Sequence, residues 1–166
     1  MNRSLFIFLL LLFGCNSKTQ IRTVGKDSVD IYTVQADDED MNNAIHKAKI
    51  TLDLFDSALY SNDTNFNSFT LKVKFLYGKD NAEHIWVADV YKDEEEYVGI
   101  VNNEPEHISG IKFGDTIRVK KNDITDWMYL DKDFVKGGFT MKLLRSRMSA
   151  AERAEMDSAS YYKFEK

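Results

Sequence analysis

A chain of 166 residues that is 43% hydrophobic and 13% aromatic suits one globular domain with its own core and is not of disordered composition. A net charge of −5 without a basic stripe argues against nucleic acid, whose phosphates need clustered Lys and Arg. The same balance argues against a polybasic membrane binder.

The chain opens with one positive residue, Arg3, and an unbroken apolar run from Leu5 to Phe13. Such a run is too short to cross a bilayer as a helix and is the length of a signal-peptide core. It stops at Leu12-Phe13-Gly14-Cys15, which resembles a bacterial lipobox, with Phe13 where a small residue is usual. Residues 1–15 are therefore expected to be a lipoprotein signal ending at a lipidated Cys15. Cys15 is the only cysteine, so no disulfide is possible despite the exported location. Several acyl chains on it would anchor the protein permanently. By resemblance to lipoprotein sorting, Asn16 in place of Asp directs the protein to the outer membrane. Residues 16–28 are polar and unpatterned and read as a tether, reaching roughly 45 Å extended or about 20 Å as a coil. Residues 29–166 form the single domain.

Val29 to Val34 alternates and is rich in β-formers, predicting a short strand. Asp37-Asp38-Glu39-Asp40 loads acid where a helix begins, which suits its free amides and dipole. Met41, Ala44, Ile45, Ala48, Leu52, Phe55 and Leu59 form one apolar stripe, predicting one long helix to about Tyr60. Phe69 to Tyr77 alternates as a half-buried strand with Lys72 and Lys74 on its wet face. Glu83 to Tyr91 contains Ile85-Trp86-Val87-Ala88 without a polar residue and reads as a central strand. Asp93 to Glu96 is a charged turn, and Tyr97 to Val101 returns as a third strand. Gly99 inside it signals a bulge or a close approach.

Asn102-Asn103-Glu104-Pro105 is either a plain turn or a polar site on a rigid loop. Gly110 and Gly114-Asp115 turn the chain into a strand with Ile117 and Val119 inward. Asp126 to Leu130 is another strand, with Phe134-Val135 returning. Gly137-Gly138 breaks the pattern, after which Met141, Leu144 and Met148 recur at helical spacing. Ser149 and Glu152 form a capping box for a short last helix.

The ordered set Asp37-Asp38, Met41-Asn42, Ala44-Ile45, Glu83-His84-Ile85-Trp86-Val87, Gly99, Asn103-Glu104-Pro105, Gly110, Gly114-Asp115, Asp126-Trp127-Met128, Gly137-Gly138-Phe139-Thr140, Met148-Ser149 and Glu152-Arg153 resembles the family called domain of unknown function 2314, the YegJ-like proteins. The resemblance covers about residues 37–153. It implies one compact domain and brings no activity and no catalytic residues.

The expected fold is α+β. A long N-terminal helix packs on a curved, mainly antiparallel sheet of five or six strands, barrel-like in its most closed form, and a short C-terminal helical segment follows. There is no nucleophile elbow, no phosphate-binding glycine loop and no metal-ligand spacing among the histidines, so no cofactor or metal is expected. The candidate ligand-binding residues are Glu83, His84, Trp86, Asn103, Glu104, Asp126 and Trp127. Carboxylates beside tryptophans at strand ends can hold a ligand by stacking and hydrogen bonds; the other reading makes the tryptophans core and the carboxylates loop ties. Glu83 and Trp86 point to opposite faces of one strand, so the set is one pocket only if the sheet bends. The expected function is a lipid-anchored envelope binding module with a protein or envelope partner. The alternative is an envelope hydrolase using Glu104, Asp126 or His84.

Overall fold

The computed structural model describes residues 38–165, together with the strands Gln20–Arg22 and Ile31–Thr33. The signal segment, Cys15 and most of the expected tether lie outside these residues. Gln20–Arg22 (β1) falls within the stretch read as tether and pairs antiparallel with Ile31–Thr33 (β2).

The acidic run starts a helix, as its chemistry dictates. Asp38 caps α1 (Glu39–Ile50) by accepting from the Met41 amide at 3.0 Å. Arg147 donates to both oxygens of the same carboxylate, which holds the Asp38 pKa down at about 2 and ties this cap to a distant helix. The expected single long helix is corrected: Thr51 divides it into α1 and α2 (Leu52–Leu59). The Thr51 hydroxyl donates back to the Lys47 carbonyl at 2.7 Å, and its backbone leaves the helical region with φ −113° and ψ 14°. The apolar stripe survives the bend. Ala48, Leu52 and Phe55 are all at most 3% exposed and form the core with the sheet.

Six antiparallel strands follow: β3 (Phe66–Tyr77), β4 (Asn81–Asp93), β5 (Glu96–Val101), β6 (Thr116–Val119), β7 (Ile124–Asp131) and β8 (Phe134–Gly137). Their order in the sheet is β6-β5-β4-β3-β7-β8. The sheet is open, which corrects the barrel-like form: β6 and β8 are edges and do not pair with each other. The run lacking polar residues is indeed central. One face carries Leu71, Val73, Val87 and Trp127 against the helices; on the other lie Met128 and Leu130 with Trp86.

Bulges bend the strands. Opposite Gly99 the register of β4 shifts between Ala88 and Tyr91, and Asp89 has φ +50°. A Cβ on Gly99 would lie 2.7 Å from the Ala88 carbonyl oxygen and 2.7 Å from a Val87 methyl. Both readings of Gly99, bulge and close approach, thus describe one place.

After β8 come α3 (Phe139–Arg147) and α4 (Ala150–Ala159), the latter opened by the expected Ser149–Glu152 capping box. The tail returns to the sheet. Lys163 bridges to Phe134 along the outer edge of β8, while Tyr162 and Phe164 cover Met128, Leu130 and Val135. Among the described residues, no helix is long and apolar enough to cross a membrane.

Candidate functional site

The seven candidate residues fall into three places.

The first is the latch of the loop after β5. Glu83 stands on the helix-facing side of β4 and is 8% exposed. Its two oxygens accept from the backbone amides of Glu106 at 2.7 Å and His107 at 2.9 Å. Asn103 Oδ1 accepts from the Trp86 amide at 2.7 Å, and the Asn102 amide donates to the Trp86 carbonyl at 2.8 Å. The His107 ring stacks on Tyr77 with centroids 4.6 Å apart. A loop fixed at so many points presents Asn102 and Glu104, both exposed, in a set geometry.

The second place is the opposite face of the sheet, where His84, Trp86 and Asp126 gather with Lys72, Thr125 and Thr140. Cross-strand register puts Lys72 beside both Trp86 and Asp126. Asp126 is fully buried and accepts four hydrogen bonds. Oδ1 takes the amides of Trp127 and Phe139 at 2.9 and 3.1 Å; Oδ2 takes the Thr140 amide and hydroxyl at 2.8 and 2.7 Å. Every partner is a donor, which matches an ionised carboxylate. Burial pushes its pKa up, opposed by Thr140 and by the Lys72 charge. Asp126 is thereby the cap of α3: the local N-cap, Gly138, has no side chain and sits at φ 62°.

Lys72 completes this group. Its ammonium lies 5.3 Å from the centre of the Trp86 ring and 3.4 Å from Thr140 Oγ1. Burial draws its pKa down against the pull of Asp126. The sequence reading placed Lys72 on a wet face and gave it no role. Its signal, a lysine between two apolar neighbours, Leu71 and Val73, is common to every solvated strand.

The His84 tautomer follows from the same network. Thr125 donates its one proton to the Lys72 carbonyl at 3.1 Å, so its oxygen accepts from His84 Nδ1–H at 2.9 Å. Nε2 is left with its lone pair. Burial and the charges of Lys72 and Lys74 lower the His84 pKa to about 4, so the ring is neutral at neutral pH.

The third place belongs to Trp127. It points to the helix side and is 3% exposed, and its indole N–H donates to the Ala48 carbonyl at 2.9 Å. Trp127, Tyr129, Phe66 and Phe139 line an open cleft of about 420 Å³ between α2 and the β7–β8 hairpin. The two tryptophans thus serve opposite faces, and the candidate residues do not form one pocket. Among the described residues, no three His, Cys, Asp or Glu side chains are gathered in the manner of a metal site.

A family model described as "Uncharacterized protein conserved in bacteria (DUF2314)" matches residues 38–164. A "putative ankyrin repeat protein" of Neisseria meningitidis serogroup B is 35% identical over 140 residues, which is 80% of this chain and 55% of that protein. The chain therefore spans about half the length of that relative. The uncharacterized protein YegJ of Escherichia coli K12 is 27% identical over 141 residues, or 85% of this chain and 86% of that one. No solved structure matches.

Proposed function

Because the chain belongs to the DUF2314 family, whose description names no activity, we propose from its own residues that it is a lipid-anchored envelope protein acting as a non-catalytic binding module. The observation that carries this reading is the latched loop. Glu83 and Asn103 hold residues 102–107 by three hydrogen bonds to backbone amides, while Asn102 and Glu104 face solvent. Preorganisation of this kind lowers the ordering cost of recognising a partner. Both buried carboxylates, Glu83 and Asp126, have their oxygens engaged by N–H and O–H donors, so neither is poised to exchange protons with a substrate. The anchor is read from Arg3, the apolar run and Cys15, and the outer membrane from Asn16; the partner is a protein or another envelope component.

Two variants test this. Glu104→Gln leaves the latch of Glu83 and Asn103 intact, so in a binding module the fold is unchanged and only partner binding weakens. An envelope hydrolase using Glu104 would instead lose turnover at unchanged stability. Cys15→Ser moves the protein from the membrane fraction to the soluble fraction; retention at normal levels in the membrane contradicts the anchor.

A further inference from the structure

We propose that the aromatic cleft between α2 and the β7–β8 hairpin binds a small, flat-ringed carboxylate. This goes beyond the loop-binding reading and is independent of it, because the cleft lies on the helix side around Trp127 and shares no residue with the loop.

The volume of about 420 Å³ falls within the range of small-molecule sites. Its walls are suited to a ring. Trp127 and Tyr129 stack with centroids 6.2 Å apart and planes 10° apart, and Phe66 leans on Tyr129 at 5.1 Å. Gly137 lets the Trp127 ring lie against the backbone, since a Cβ there would meet two of its ring carbons at 2.4 and 2.6 Å. At the rim, Leu54 stands 55% exposed on α2.

The polar groups of the cleft favour an anion. Lys136 is the one charged residue lining it. It is the cross-strand partner of Tyr129, whose hydroxyl makes no hydrogen bond to another described residue. An ammonium and a free O–H on one wall are two donors for one carboxylate. The chain supplies its own example: Glu165, near the end of the returning tail, places a carboxylate oxygen 2.5 Å from the Lys136 nitrogen. Glu165 is 56% exposed, and an exposed ion pair of this kind is weak, so a ligand carboxylate backed by ring stacking displaces it. Asp131 lies 3.7 Å from the same nitrogen.

The test titrates 2-naphthoate into the full-length protein, followed by calorimetry and by the two indole N–H NMR signals. The expected result is saturable one-to-one binding that moves the Trp127 signal and leaves that of Trp86, on the opposite face, in place. Lys136→Gln weakens binding at least tenfold, Glu165→Gln tightens it severalfold, and uncharged 2-naphthalenemethanol binds at least tenfold more weakly. Absence of saturation at millimolar 2-naphthoate, equal affinity in both variants, or a shift confined to Trp86 overturns the proposal.

Discussion

Asp126 shows how a single buried carboxylate is made stable. Taking it out of water is costly, and each of its four donors offsets part of that cost. Two of the donors, the amides of Phe139 and Thr140, are ones that a glycine-started helix leaves without a local cap. His84, on the same face, titrates in the opposite sense. Its pKa of about 4 in the folded chain lies below the ordinary 6.5, so the unfolded chain binds its proton first. The stability this ring confers is complete above about pH 6.5 and is lost as pH falls toward 4, where the loss levels off. Its full size is about 3 kcal/mol at 1.36 kcal/mol per pKa unit. Urea unfolding across this window should show the slope, and His84→Gln should remove the part that belongs to the ring. An unchanged slope in the variant would mean that other groups carry it. The reading of the carboxylates as loop ties anticipated that Asp126 holds backbone amides but not which ones, and the role of His84 could not be read from the sequence. The donors to Asp126 come mainly from residues 139 and 140, and the burial of His84 depends on which strand lies beside which.

At the scale of elements, the readable features are those whose cause is local. The Asp38 cap, the Ser149–Glu152 box and the alternation of β3 each need only a few consecutive residues. The helix break at Thr51 was not readable, because no Pro or Gly marks it and the apolar stripe runs through it. β7 lies beside β3 rather than next to its sequence neighbour β6, and strand patterns alone do not give that order. Gly99 lies between these cases: its place inside a strand signalled a close approach, and the structure shows the Ala88 carbonyl as what approaches. Gly99→Ala should lower stability by about 1–3 kcal/mol, since the obstructing atom is backbone and the site is overpacked. Its urea midpoint should fall with little change in slope; a midpoint equal to wild type would show that the bulge yields freely.

For the whole molecule, an open sheet covered by helices on one side leaves the other side to a short tail and to half-buried Lys72, His84 and Trp86. The α+β class and the central strand were legible, because hydrophobic period and the absence of polar residues survive any topology. The candidate site was legible only in part. Alternation correctly separated Glu83 from Trp86, but the side each tryptophan faces depends on strand order. What results is an open sheet with a latched, exposed loop at one end of β4 and β5, the loop proposed above to recognise a partner. The most direct test is light crosslinking of the full-length chain in its own membranes, with quantitative mass spectrometry of what purifies with it, wild type against Glu104→Lys. The account predicts a stoichiometric partner with wild type and its loss from the variant, with the unfolding midpoint of the variant unchanged. A partner held equally by both, or neither a protein nor another envelope component held by either, would contradict it.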